Sequence, residues 1–337
     1  METHHPDWDA QRYMWEEYMK LGFIGLGTMG SHMAHNTLKA GFSVTVHDVR
    51  PETANAHLQQ GARWADTPRQ VAESSDVIFT SLPGPSEIES VALGREGLLH
   101  GMRAGNIYID LSTTSPAMIR HIYSVFAEIG AHVLDAPVSG GPAGAESRNL
   151  AIWVGGDEDI YLKCKPILGS IGNMVSYLGP IGCGSIAKLV HNCAGFTVQC
   201  ALAEVFTMGV KAGVDPLALW QAVRSGAQGR RGMFEGLMEH FLPAKFDPPD
   251  FALGLARKDI ELAVNLGIEY NVPMKLSSLA LDELTEAMNR GWGRRDSRVA
   301  MLLQEERSQI EIHVSEDAIK QTLNNVRDFA SEGNKGH

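Results

Sequence analysis

Apolar positions along this chain change period near its middle. Between Lys20 and about Pro180, short runs rich in β-branched residues (21–24, 44–47, 77–81, 107–110, 132–135 and 151–154) alternate with segments of helical spacing (29–40, 53–60, 116–129 and 158–168). Such alternation predicts a largely parallel sheet with helices on both faces. After Gly182 the strand-like runs stop. Residues 186–212 form one long, mostly apolar, proline-free segment, ended by the turn Ala212-Gly-Val-Asp-Pro216. Helical spacing then continues over 216–224, 251–270, 274–290 and 297–306, and the last twenty residues read as a polar helix with a frayed tail. The pattern therefore predicts an α/β domain over 19–181 and an all-α domain over 182–312, with a tail over 313–337.

Composition narrows the class without changing that picture. A chain of 337 residues, 44 % hydrophobic and 20 % charged, suits two packed domains rather than a disordered protein. Its net charge of −11 lacks the Lys and Arg surplus that phosphate neutralisation needs, so nucleic acid is not an expected partner. No apolar run reaches the roughly eighteen residues of a membrane span. Residues before Met19 lack the basic start and apolar run of a signal peptide, so the expected compartment is cytoplasmic. Met19-Lys-Leu-Gly-Phe-Ile-Gly25 reads as a start that runs straight into a strand, which makes residues 1–18 an expected extension outside the fold. Cys164, Cys183, Cys193 and Cys200 form no CxxC pair and read as reduced thiols. His32 and His35 lie three apart on the first helix without a third ligand in sight, so no metal is expected.

Candidate chemistry begins at Gly25-Leu26-Gly27-Thr28-Met29-Gly30, which fits GxGxxG. The motif follows an apolar strand and opens an amphipathic helix, and Asp48 ends the next strand, which is the setting of a Rossmann-type dinucleotide site. Gly25 permits the tight turn, Gly27 lets the backbone approach a pyrophosphate, and Gly30 lets helix and strand pack closely. Asp48 would accept hydrogen bonds from the adenosine ribose and repel a 2′-phosphate, favouring NAD over NADP, while Arg50 works in the opposite sense.

Four motifs, in order and spacing, resemble one family, the β-hydroxyacid dehydrogenases, which include 3-hydroxyisobutyrate dehydrogenase and tartronate semialdehyde reductase. They are Gly22-Phe-Ile-Gly-Leu-Gly-Thr-Met-Gly30, Asp135-Ala-Pro-Val-Ser-Gly-Gly141, Gly182-Cys-Gly-Ser-Ile-Ala-Lys-Leu-Val-His-Asn192 and Lys258-Asp-Ile-Glu-Leu-Ala263. Leu82-Pro83 and Asp110-Leu-Ser-Thr-Thr-Ser-Pro116 agree as cofactor-side loops, and the resemblance covers roughly residues 19–310. It implies a 6-phosphogluconate dehydrogenase-like fold for the helical domain, NAD or NADP as cofactor, and a small hydroxy acid interconverted with its semialdehyde. By the same resemblance Lys188 transfers the proton, as base in oxidation and acid in reduction. Asn192, at i+4 on the same helical face, holds the substrate hydroxyl or carboxylate. A lysine suits that task only where desolvation or positive charge brings its pKa toward working pH.

Ser139-Gly140-Gly141 offers unobstructed N–H groups and a hydroxyl to a carboxylate. Thr113 is expected beside the nicotinamide ribose and the substrate, and Lys258 over the cofactor or substrate. Many relatives carry asparagine where this chain has His191, which reads as a hydrogen-bonding neighbour rather than a second catalyst. The glutamate used by decarboxylating sugar-phosphate enzymes is replaced by Gly195, which argues against that chemistry. Arg230 and Arg231 would either recognise a second anionic group on the substrate or stand as surface arginines. Trp220, Phe234 and Trp292 read as core or subunit-contact residues, and the apolar helices predict a homodimer or homotetramer. An imine or carbonyl reductase and a non-catalytic dinucleotide-binding module share this architecture; the retained Lys188 and Asn192 argue against both.

Overall fold

Val, Ile, Leu and Phe crowd the strands because both faces of the sheet are covered. In the structure, a computed structural model that describes residues 19–211, 213–226, 236–269, 274–321 and 323, six strands pair in parallel. They are β1 (Lys20–Ile24), β2 (Ser43–His47), β3 (Arg63–Trp64), β4 (Val77–Thr80), β5 (Ile107–Asp110) and β6 (His132–Asp135), in the order β3-β2-β1-β4-β5-β6. Alternate residues feed opposite cores: Phe23, Phe79 and Ile109 enter one, and Ile24, Ile78 and Tyr108 the other. The sheet continues through β8 (Ala151–Gly155), antiparallel to β6 and to the two-residue β7 (Val138–Ser139). β9 (Met174–Gly179) then pairs with β8 in parallel.

Helices α1 (Gly30–Lys39), α2 (Asn55–Gln59), α3 (Pro68–Glu73), α4 (Pro85–Leu93), α5 (Pro116–Glu128), α6 (Gly141–Ser147) and α7 (Glu158–Ile171) connect the strands. The sequence pattern misses β3, β7, β9, α3, α4 and α6, for physical reasons. β3 and β7 have two residues each, α3 and α6 hold fewer than two turns, and β9 has no fully buried residue to mark it as a strand. Residues 53–60 divide into a 3₁₀ turn, Pro51–Ala54, and α2. Residues 297–306 likewise begin as 3₁₀, Ser297–Met301.

The long helix α8 (Cys183–Lys211) starts three residues before the expected 186. The cause lies outside the helix: Asp135, at the end of β6, accepts the Gly182 N–H at 2.8 Å and the Ser185 N–H at 2.6 Å. A carboxylate thus satisfies donors that every helix start leaves open. A Cβ at Gly184 would collide with the Trp153 carbonyl, so this glycine is what lets the helix start lie against the sheet.

Two compact units divide inside α8, between His191 and Asn192. In the second unit the described helices include α9 (Pro216–Ser225), α10 (Leu253–Glu269), α11 (Lys275–Asn289) and α12 (Leu302–Ser308), with a π turn at Leu237–Phe241 and helical residues again over 316–321. Among its described residues the unit holds one isolated bridge, Ala252 to Asp296, and no strand. Trp220 is fully buried in its core with Phe241 and Phe246 and Trp292 is half-buried, whereas Phe234 lies outside the described residues. The expected extension 1–18 and most of the tail also lie outside them. No described helix is long and apolar enough to cross a membrane.

Glu305 on α12 carries a stability prediction. Among the described residues its buried carboxylate accepts only the Ile312 N–H, at 3.3 Å, and burial pushes its pKa up to about 7 from 4.5. A raised carboxyl value stabilises the fold fully below pH 4.5, and that contribution is lost as pH rises through about 7. Glu305→Gln is therefore expected to raise stability at pH 8 by roughly 2 kcal/mol and to change little at pH 5. Thermal melts at the two pH values check this; equal shifts at both would contradict it.

Candidate active site

The predicted cofactor residues gather at the carboxyl ends of the parallel strands, where α/β sheets bind ligands. Gly25 follows β1 with φ +91°, a conformation suited to glycine, and a Cβ at Gly30 would overlap the Gly25 carbonyl oxygen. Nothing lies within 4 Å of a Cβ at Gly27, and no side chain caps the N-terminus of α1. This open cradle before an uncapped helix fits the pyrophosphate of a dinucleotide. Asp48 is buried at the end of β2, where its Oδ2 accepts the Leu26 N–H at 2.7 Å and its Oδ1 the Arg50 N–H at 2.9 Å. Its carboxylate thus braces the Leu26-Gly27-Thr28-Met29 turn from below. The Arg50 guanidinium stands 3.8 Å away.

The Leu82-Pro83 and Thr113 loops are tied to each other. The Leu82 N–H donates to Ser112 Oγ at 2.9 Å, and the Ser112 N–H donates to Asp110 Oδ1 at 3.1 Å. Thr80 donates to the same oxygen at 2.7 Å and meets the Tyr108 hydroxyl at 2.9 Å. Burial raises the Asp110 pKa, only partly offset by the Ser112 and Thr80 hydrogen bonds. Pattern reasoning missed this buried ladder, although acidic and hydroxyl residues inside apolar strands (Thr80, Asp110) were a visible signal.

Ser139 closes β7 and leads into Gly140 and Gly141, both exposed and both at positive φ. Lys188 is buried on α8, three residues after Ser185, whose N–H Asp135 ties down at the helix start. His191, one turn further, meets Ser139 with its Nε2 3.1 Å from the hydroxyl, and its ring lies 5.1 Å from that of Trp153. Partial burial and the Lys188 charge lower the His191 pKa below its ordinary value. Asp135 is the supporting residue that sequence reasoning passed over. It appeared in a matching motif, but its partners lie about fifty residues away.

In the second unit Asn192 donates its amide N–H to Asp259 Oδ2, and Lys258 Nζ stands 2.7 Å from Asp259 Oδ1. The carboxylate therefore orients the amide, leaving Asn192 Oδ1 and one N–H for other partners. Asp259 was also overlooked, although it is adjacent in sequence to Lys258. Arg230 and Arg231 lie outside the described residues. Another group, His240 with Glu239 and Asp250, is held by Arg298, which stands 3.3 Å from Glu239 and 3.5 Å from Asp250.

Known proteins match this arrangement along most of its length. The family model for the NAD binding domain of 6-phosphogluconate dehydrogenase matches residues 20–179. The model described as NAD-binding of NADP-dependent 3-hydroxyisobutyrate dehydrogenase matches residues 182–303. The chain is 36 % identical to 2-(hydroxymethyl)glutarate dehydrogenase of Eubacterium barkeri, over 88 % of this chain and 98 % of that one. The chain belongs to the β-hydroxyacid dehydrogenase family. Solved structures of family members agree. The 3-hydroxyisobutyrate dehydrogenase of Salmonella typhimurium superposes with a TM-score of 0.75 at 28 % identity, over 85 % of this chain and 99 % of that one. The Mycobacterium tuberculosis 3-hydroxyisobutyrate dehydrogenase, studied with L-serine, gives 0.75 at 26 % identity, over 85 % and 98 %. As a β-hydroxyacid dehydrogenase the protein is an NAD(P)-dependent oxidoreductase, with a Rossmann-like first domain and a helical second region.

Proposed function

We propose that the protein interconverts a 3-hydroxy acid of the form HO–CH₂–CHR–COO⁻ and its semialdehyde, with Lys188 as the proton-transfer residue. The observation that carries this reading is the 3.1 Å contact between His191 and Ser139: the turn of α8 that follows Lys188 lies beside the Ser139-Gly140-Gly141 turn. An anion-binding turn and a proton-transfer residue thereby share one place at the sheet's carboxyl end. The names of the relatives support the substrate class: 2-(hydroxymethyl)glutarate, 3-hydroxyisobutyrate and L-serine all carry a primary alcohol β to a carboxylate.

The bound nicotinamide supplies a hydride acceptor in one direction and a donor in the other. Ser139, with the amides of Gly140 and Gly141, receives the carboxylate. Asn192, oriented by Asp259, holds the substrate oxygen, and Lys188 takes the hydroxyl proton during oxidation or returns it during reduction. Thr113, on the loop pinned through Ser112, lies by the nicotinamide ribose, and Lys258 closes over cofactor or substrate. Residues 19–181 serve cofactor binding, and 182–312 substrate binding and assembly. Arg230 is the candidate for recognising a second anionic group where R carries one; Arg230→Ala is then expected to raise KM for the dicarboxylate alone, and an equal effect on all substrates would make it a surface arginine.

Initial rates on 3-hydroxyisobutyrate, 2-(hydroxymethyl)glutarate, L-serine and glycerate, with their methyl esters as controls, test the reading. Turnover of an acid at least about tenfold better than its ester is expected, since a charged hydrogen bond is lost in the ester. Equal turnover of acid and ester would sink it. NAD is the preferred cofactor, through Asp48. Asp48→Asn keeps an acceptor for Leu26 but removes the charge, and is expected to shift the NAD/NADP ratio of kcat/KM about tenfold toward NADP. An unchanged ratio would exclude Asp48 as the discriminator.

Assembly as a homodimer or homotetramer is supported by Ile268, Leu276 and Leu279, which are 71 %, 67 % and 61 % exposed at the α10–α11 corner. Light scattering on Leu276→Glu/Leu279→Glu should report a smaller particle than the parent chain.

A further inference from the structure

We infer that His191 is a positioning residue for the substrate carboxylate: its Nε2–H donates to Ser139 Oγ and turns the serine proton toward the anion. The inference rests on the reading of Ser139-Gly140-Gly141 as the carboxylate turn, and goes beyond it by assigning the polarity of the Ser139–His191 bond.

A serine hydroxyl owns one proton. If Nε2 accepted that proton, Ser139 would present only lone pairs to a carboxylate, and the contact would be repulsive. If Nε2 donates, the hydroxyl accepts from the imidazole and gives its own proton to the anion. Anion recognition therefore selects the Nε2–H tautomer. The imidazole is already held for this task. The Trp153 ring lies 5.1 Å away at 53°, fixing the plane, and the 3.1 Å contact fixes the edge that faces Ser139. Partial burial and the Lys188 charge one turn before both lower the His191 pKa, which favours the neutral imidazole and a directed N–H over a second acid. Neutral imidazole is the one form of this side chain in which the tautomer matters.

Long-range ¹H–¹⁵N spectra of histidine-labelled protein at pH 8 read the tautomer directly, with the His191 signals assigned from His191→Asn. The Nε2–H pattern is expected, and the Nδ1–H pattern overturns the inference. Kinetics test the consequence. His191→Phe is expected to raise KM for the acid substrate about tenfold, with little change in kcat, in cofactor KM or in KM for the methyl ester. His191→Asn, which keeps an N–H donor, should recover much of that loss. The double variant Ser139→Ala/His191→Phe should be no worse than Ser139→Ala, because the histidine acts through the serine. Additive losses in an active enzyme overturn this inference and leave the substrate reading intact. A parent enzyme that handles acid and ester alike overturns both.

Discussion

Lys188→Ala is expected to lower kcat for hydroxy-acid oxidation about 10³-fold, within the range of a lost general acid–base group. Cofactor affinity should be unchanged, because the proposed dinucleotide cradle lies on the β1, β2, β4 and β5 loops rather than on α8. The residue is buried at the first turns of a helix whose start is anchored to β6 through Asp135, so its amine is presented from a rigid element. Lys188→Arg should not rescue the rate, since a guanidinium stays protonated at any working pH. Single-turnover rates with NADH-fluorescence titrations separate the outcomes. Lost cofactor binding, or a kcat within about tenfold of the parent, would remove Lys188 from the proton-transfer role.

Asp135→Ala should be the most destabilising of the substitutions considered for the first unit. It strands the Gly182 and Ser185 N–H groups, both paired at 2.8 Å or less and both in buried surroundings. Each orphaned donor costs about 1–3 kcal/mol, so a total near 4 kcal/mol and a fall in melting temperature of roughly 10 °C are expected. Asp135→Asn should fall between, because a carboxamide oxygen satisfies one donor while its NH₂ faces the other. Burial already raises the Asp135 pKa, so its acceptor capacity declines at a higher pH than an exposed aspartate would show. Calorimetry without cofactor isolates the effect, and a melting point within about 2 °C of the parent would show that the helix start does not depend on the cap.

The two predictions draw on different kinds of information. Lys188 was visible in the sequence through a motif with internal spacing, Lys188 to Asn192, which a helix converts directly into a shared face. The glycine loop was visible for the same reason. Its turn, its backbone approach and its helix start are decided within six residues, and Asp48 follows at the end of the next strand. Asp135 lay inside a matching motif, yet nothing along the chain indicated that it caps a helix.

Sequence alone determined what neighbours along the chain determine: six of the nine strands, the longer helices of the first half apart from α4, the change to an all-α second half, the turn at Gly25 and the close packing at Gly30. Side-chain period and backbone sterics act over a few residues, so they leave a readable pattern. Tertiary structure decided the partners. Ser139 meets His191 across 52 positions, Asp135 caps Ser185 across 50, and Asn192 meets Asp259 across 67. A polar side chain buried near a strand end must find a hydrogen-bond partner, and which one it finds depends on the groups the fold brings to that end. That is why the candidate residues could be named one by one, while the bonds that orient them became readable only once the chain had folded.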